Sequence, residues 1–311
     1  MSKILILGAG AVGGYLGGRL VENGADVTFL VREKREQILK EKGLQIQSPA
    51  GNCTLQVKTV TQKTVKPEYN IVIVACKAYD LESAIASIKP AFSEKTIIIP
   101  LLNGMTHLDI LNDTFGESQV FGGTIVIQAT LTPNGTIQHF NNSAIVTIGT
   151  QNGKSHPIIA DFLKLSEGAN GLTTRSVNDI LLAMWEKWVG LSSLAGMTCL
   201  MRANIGEISR SPGGHDAIVD FITKNIKVAN YYGHSIAPEK YLAKDSHYVS
   251  ENSTATASML RDIENGSQVE SEQILGALLK KAKEAGVDHP TLALSYINVK
   301  AYEERRKANR L

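Results

Sequence analysis

The chain has 311 residues, 43% of them hydrophobic, with 32 basic and 30 acidic side chains and a formal net charge of +2. That length implies two domains, each with a core of its own. The charges are scattered rather than blocked, which argues against nucleic acid or an anionic membrane as partner, and no apolar run is long enough to span a bilayer.

Met1-Ser2-Lys3 leads straight into a strand-like run without the features of a signal peptide, so a cytoplasmic location is expected. Cys53, Cys76 and Cys199 are odd in number and widely spaced, as expected of reduced thiols. The seven histidines form no metal-binding spacing, so no metal site is expected.

Ile4 to Leu7 reads as a buried parallel strand, and Gly8, Gly10 and Gly13 follow it as G-x-G-x-x-G. Gly8 allows a sharp turn, Gly10 lets a pyrophosphate approach the backbone, and Gly13 lets the next helix pack closely on the strand. That helix, from Val12 to Asn23, would aim its free N–H groups at the phosphates, with Ala11 and Val12 among the binding residues. Gly24 stops it, and Asp26 to Val31 completes a βαβ unit of the Rossmann type. After this second strand a carboxylate would hold the 2′-hydroxyl of NAD, whereas an arginine would accommodate the 2′-phosphate of NADP. Arg32, followed by Lys34 and Arg35, favours NADP, because a guanidinium pairs with phosphate through two charge-assisted hydrogen bonds. Glu33 is the competing feature, and an ordinary solvated helix start also fits the cluster.

A helix from Gln37 ends at Gly43, and Leu44 to Val60 alternates as antiparallel strands around Pro49-Ala50-Gly51. Asn70 to Cys76 and Thr96 to Leu102 are further buried strands, with a helix from Leu81 to Ile88 between them. Their ends carry Lys77 and Asn103-Gly104. Ligands of open α/β sheets lie beyond the carboxyl ends of strands, so both residues are candidates to meet cofactor or substrate. Equally, Asn-Gly makes a turn and a strand-end lysine is simply solvated. Val120 to Gly149 alternates around the turn Pro133-Asn134-Gly135 and should extend the sheet in antiparallel sense. A helix from His156 to Glu167 and a strand from Leu172 to Val177 close a first domain, residues 1–177.

Residues 178–311 read as helical throughout: Asp179 to Leu200, His215 to Tyr232, Ser253 to Glu264, Glu270 to Ala285 and His289 to Lys307. These long apolar helices are compatible with a homodimer. Within the first of them, Trp185-Glu186-Lys187-Trp188 sets a lysine among aromatics, where burying its charge is costly unless it is paired. A snorkelling lysine packed on the indoles fits the same pattern. Glu270 is its plausible partner, or a carboxylate satisfied by its own helix dipole.

With GAGAVGG, CKAYD at Lys77, LLNGM at Asn103, WEKW at Lys187, and SMLRDIE followed by Glu270 twelve residues after Ser258, the chain resembles the ketopantoate reductase (2-dehydropantoate 2-reductase) family over nearly its whole length. The resemblance implies an NADPH-binding Rossmann-type doubly wound sheet with an antiparallel extension. An all-helical domain similar to that of 6-phosphogluconate dehydrogenase would follow, with a 2-oxo acid held in the cleft between the two. It makes Lys187 the general acid, Glu270 the group that anchors a substrate hydroxyl and orients Lys187, and Ser258 the ligand of the substrate carboxylate. Asn103 and Lys77 would stand where cofactor and substrate meet. Family members usually carry asparagine where this chain has Leu191, Ala195, Ile205 and Ala255. Those losses suggest a more apolar substrate, or else a redox-sensing protein that kept the nucleotide site without turnover.

Overall fold

A computed structural model of the chain describes residues 2–311. Two compact units form, Met1–Leu102 with His107–Ala183, and Asn103–Thr106 with Met184–Leu311. The first contains β1 (Ile4–Leu7), α1 (Ala11–Glu22), β2 (Val27–Leu30), α2 (Glu33–Lys42), β3 (Leu44–Gln47), β4 (Cys53–Leu55), β5 (Lys58–Val60), β6 (Ile71–Val74), α3 (Leu81–Ile88) and β7 (Ile97–Pro100). After the turn at 103–106 come α4 (Thr106–Phe115), β8 (Phe121–Val126), β9 (Ala129–Leu131), β10 (Ile137–His139), β11 (Ala144–Thr150), α5 (Pro157–Ser166) and β12 (Leu172–Ser176).

Strands β1, β2, β6 and β7 are short runs of Ile, Leu and Val, almost wholly buried, as strands covered on both faces must be. They form an all-parallel sheet of order β5-β2-β1-β6-β7, with Ile4 beside Val27 on one side and Ile71 on the other. This is a Rossmann-like arrangement.

Helix α1 is packed tightly on two sides. A Cβ at Gly17 would lie 2.5 Å from the Phe29 ring, and one at Gly13 would lie 2.5 Å from the Gly8 carbonyl oxygen, so this face lies against the parallel sheet. A Cβ at Gly14 would strike Ile137, and one at Gly18 would lie 2.5 Å from Ile46, so the other face meets a second sheet of order β4-β3-β10-β9. Glycines at these spacings bring backbone, rather than side chain, against both layers.

Three sequence expectations for this unit need correction. The stretch Leu44 to Val60 is antiparallel only between β3 and β4; β5 instead lies parallel to β2, because the open edge of β2 takes it up, the Val31 N–H donating to the Val60 carbonyl. From Val120 to Gly149, β8 and β11 pair antiparallel in a three-stranded sheet with β12 parallel to β11, but the link from this sheet to β7 is a parallel bridge from Ile98 to Val120. The β9–β10 hairpin leaves that sheet to place Ile137 on α1, with β10 parallel to β3. Helix α2 starts at Glu33, four residues before the expected Gln37, since Arg32 takes the extended cap position with Glu33 and Glu36 in the first turn.

The second unit is helical: α6 (Ile180–Met201), α7 (Ile205–Arg210), α8 (Gly214–Tyr231), α9 (Glu239–Leu242), α10 (Ser258–Glu264), α11 (Ala277–Glu284) and α12 (Pro290–Lys307), with a π turn at Glu272–Gly276 running into α11. The helix expected from Ser253 begins only at Ser258, because the carbonyls of Ser253 and Ala255 accept the N–H groups of Gly206 and Ile205 at the start of α7. Asn204 caps α7 reciprocally with Glu207. Among the described residues no helix is long and apolar enough to cross a membrane.

Candidate functional site

The glycine-rich turn follows β1 directly. Gly8 adopts φ +87°, a conformation that an L side chain rarely accepts, and its N–H donates to the Leu30 carbonyl of β2. Gly10 is the extended cap of α1 and supplies no side chain to its first N–H groups. A Cβ on Gly8 or Gly10 would meet nothing within 4 Å, so both face open space. Gly13 is closed instead, against Gly8. The first N–H groups of α1, at Ala11 and Val12, receive no side-chain cap, and with open space at Gly10 they fit a dinucleotide pyrophosphate.

Arg32 stands just after β2 with its side chain 84% exposed and its guanidinium 3.8 Å from the Asp80 carboxylate. Glu33, its rival in the sequence, is engaged with Lys63 at 2.7 Å, and that pairing holds its carboxyl below the usual range. Arg35 differs from Arg32. It donates to the carbonyls of Ala9 at 2.9 Å and Gly135 at 3.1 Å, fastening the glycine-rich turn to the β9–β10 turn, and burial lowers its pKa. Because peptide C=O and N–H point in opposite directions, a carbonyl of Ala9 turned to Arg35 turns the Gly10 N–H away from it. Lys77, half-buried, follows β6 as the cap of a short turn, Ala78–Asp80.

A second group of candidates belongs to the helical unit. Lys187 sits on α6, and its Nζ donates to Asn103 Oδ1 at 3.1 Å, while Asn103 Nδ2 donates to Glu270 Oε2 at 3.4 Å. Asn103, which follows β7, thus groups with Lys187 and Glu270, whereas Lys77 belongs to the first unit. Glu270 is 7% exposed and immediately precedes the helical run from Ser271. Burial pushes the Lys187 ammonium down from 10.5 to about 8, against the opposing pull of the Glu270 charge. An ammonium so placed changes its charge close to neutral pH.

Trp185 and Trp188, three residues apart on a helix, pack on each other with ring centroids 5.0 Å apart. Trp185 also stacks on Tyr232 and His234, and Trp188 donates its indole N–H to the Ile274 carbonyl at 3.0 Å. Leu191, half-buried, and Ala195, fully buried, continue the Lys187 face of α6 at intervals of four. Ser258 is the half-buried first residue of α10. Sequence reasoning missed Thr106 and Gln273, whose side chains meet through the Thr106 hydroxyl and Gln273 Oε1. Only the threonine opening a helix after Asn-Gly hinted at either.

A parallel sheet with a glycine-rich turn after its first strand, joined in one chain to a helical unit, is the frame of a nicotinamide-dependent oxidoreductase. The family described as ketopantoate reductase PanE/ApbA matches residues 4–153, and ketopantoate reductase PanE/ApbA C terminal matches residues 179–303. The chain belongs to the ketopantoate reductase family. It is 34% identical over 98% of its length, and 100% of the other chain, to the uncharacterized oxidoreductase YkpB of Bacillus subtilis. It is 25% identical to a 2-dehydropantoate 2-reductase of Nostoc over 99% and 98% of the two chains. In fold it is similar to a D-mandelate dehydrogenase solved with NADH and anilino(oxo)acetate, with TM-score 0.87, 23% identity and coverage of 98% and 99%. A 2-dehydropantoate 2-reductase from Geobacter metallireducens gives TM-score 0.86 at 24% identity, with coverage of 96% and 99%.

Proposed function

We propose that this chain reduces 2-dehydropantoate, or a closely related 2-oxo acid, to the 2-hydroxy acid with NADPH, and that Lys187 is the general acid. Bound NADPH supplies the hydride to the carbonyl carbon. Lys187 Nζ gives a proton to the carbonyl oxygen as negative charge develops there. Its charge also stabilises that oxygen in surroundings drier than water. The observation that carries the reading is the hydrogen-bonded set Lys187, Asn103 and Glu270, in which a lysine pushed to about 8 stands beside a buried carboxylate. Glu270 anchors a substrate hydroxyl and orients Lys187, and Ser258 binds the substrate carboxylate.

For the cofactor, Gly8, Gly10, Ala11, Val12 and Gly13 cradle the pyrophosphate, and Lys77 after β6 is the first unit's further contact, whereas Asn103 belongs to the proton-donor set of the second. Arg32 receives the 2′-phosphate. The exposure of Arg32 and the engagement of Glu33 with Lys63 support NADP over NAD. Residues 1–177 form the nucleotide domain and residues 178–311 the substrate domain, to which Asn103 contributes.

Leu191 and Ala195 on the Lys187 face favour a substrate with an apolar substituent at the carbon next to the carbonyl. Oxidation of NADPH should be followed against 2-dehydropantoate, 3-methyl-2-oxobutanoate and phenylglyoxylate, with Lys187→Ala as control. Turnover of at least one, abolished in the control, is expected. Tight NADPH binding with no turnover of any 2-oxo acid would instead favour a redox-sensing role.

A further inference from the structure

The helical run that begins after Glu270 is not regular. Residues 272–276 form a π turn before α11 resumes ordinary geometry at Ala277. Single π turns forfeit regular hydrogen bonding and occur mostly at functional sites. This one is gripped from two sides. Trp188, the residue after Lys187, donates its buried indole N–H to the Ile274 carbonyl at 3.0 Å. From the turn at 103–106, Gly104 approaches so closely that a Cβ there would lie 2.5 Å from the Gln273 carbonyl oxygen, and the Thr106 hydroxyl donates to Gln273 Oε1.

All three members of the hydrogen-bonded set hang from this one turn. Glu270 lies two residues before it, Lys187 is bonded in sequence to Trp188, and Asn103 to Gly104. The Asn103 amide must show its oxygen to Lys187 and its nitrogen to Glu270, so both its place and its orientation are set by how the 103–106 turn is clasped. Adding or removing one residue in a helix rotates everything beyond it by about 100°, so a regular α-turn at 272–276 would rotate α11 relative to Glu270 and Ile274, which keep an ordinary i→i−4 bond.

We propose that the π turn and its two clasps, Thr106 to Gln273 and Trp188 to Ile274, are a positioning device that holds Asn103 between Lys187 and Glu270. Thr106, Gln273 and Trp188 are positioning residues that act on the proton donor through Asn103. The proposal rests on the reading of Lys187 as that donor and adds the residues that aim it. It also accounts for a turn that follows a strand of the first unit yet belongs to the second.

The test is a lysine titration and steady-state kinetics on the intact chain, with Thr106→Val, which removes the donor at nearly constant volume, and Thr106→Ser, which restores it. Lysine labelled with ¹³C at Cε reports the Lys187 titration by NMR, assigned by its loss in Lys187→Ala, whether or not a substrate has been found. Expected in Thr106→Val are a Lys187 titration displaced to lower pH and a kcat with 2-dehydropantoate or phenylglyoxylate reduced roughly ten- to hundred-fold, as for a mispositioned catalytic group. NADPH affinity should be unchanged, and Thr106→Ser should recover both properties. Thr106→Val with wild-type titration and kcat, alongside an inactive Lys187→Ala, overturns the positioning device and leaves the donor reading intact. Equal losses in Val and Ser variants also overturn it, because they would report packing alone. Full turnover in Lys187→Ala overturns the donor reading and, with it, the role given to the device.

Discussion

Lys187 and Asn103 are separated by 84 positions in the chain, yet the lysine Nζ rests 3.1 Å from the asparagine Oδ1. The bond joins a long apolar helix to the turn that ends a parallel strand. Lys187, in turn, is kept near its switching point by desolvation, with the Glu270 charge pulling the other way.

The first prediction concerns pH. The folded pKa of Lys187 is depressed to about 8 from 10.5, so the protonated donor is lost as pH rises through 8. The kcat/KM for reduction should fall tenfold per pH unit above that point, and Lys187→Ala should lose about 10²–10⁴-fold in rate with little change in NADPH affinity. Stability should move in the opposite sense. Between about pH 8 and 10.5 the unfolded chain holds a proton on this lysine that the fold releases, so this group's contribution to stability rises with pH across that window. A pH–rate profile and melting temperatures over the same range check both.

Gly104→Ala should weaken both fold and turnover. Its φ of +78° is strained for any residue with a Cβ, and that atom would meet the Gln273 carbonyl at 2.5 Å. A loss of about 1–3 kcal/mol is expected from denaturant unfolding. Gly24→Ala is the comparison: it has a similar φ of +86° but nothing within 4 Å of its Cβ, so it should cost less.

The two arginines after β2 should separate in their effects on cofactor. Arg32→Ala should weaken NADPH while leaving NADH nearly unchanged, because the proposed role of this exposed side chain is to receive the 2′-phosphate, which NADH lacks. Arg35→Met frees the Ala9 carbonyl and loosens the turn that both cofactors share, so NADPH and NADH should weaken by the same factor. Dissociation constants from nicotinamide fluorescence give the two ratios.

Gly17→Ala in α1 tests whether packing outweighs helix propensity. Alanine should favour the isolated helix by roughly 1 kcal/mol. In the fold, its methyl would lie 2.5 Å from the Phe29 ring and 2.6 Å from Ile6, both fully buried, and overpacking of this kind costs about 1–3 kcal/mol. A lowered melting temperature is expected.

Leu191→Asn should shift relative kcat/KM toward 2-oxo acids bearing a hydroxyl, and away from phenylglyoxylate, by roughly tenfold or more. Its place one helical turn beyond Lys187 is the reason.

Signals carried by neighbouring residues were legible in the sequence: the run Ile4–Leu7, the spacing of Gly8, Gly10 and Gly13, and the apolar helix around Lys187. What could not be read was which partner a segment would choose. Alternation shows that Lys58–Val60 and Ile137–His139 are strands, but it carries no information on whether the neighbour is β2, β3 or β8. That choice is set by the glycine face of α1 and the open edge of β2. Helix α4 was missed because Asn103-Gly104 reads as a turn and Thr106–Phe115 mixes polar and apolar positions. The extended course of residues 253–257 depends on carbonyls committed to a helix some fifty residues earlier, and the π turn depends on Trp188 and Gly104, both remote in the chain.

The membership of residues 103–106 in the helical unit makes that unit discontinuous. A fragment cut to begin at Met184 would be missing the loop that completes it: the Gln273 carbonyl would lose the close approach of Gly104, and Glu270 and Lys187 would both lack Asn103. During synthesis the loop leaves the ribosome about eighty residues ahead of α6, so it must wait for its partners. Severed halves should therefore recover function only by complementation, with the N-terminal piece delivering the missing loop in trans.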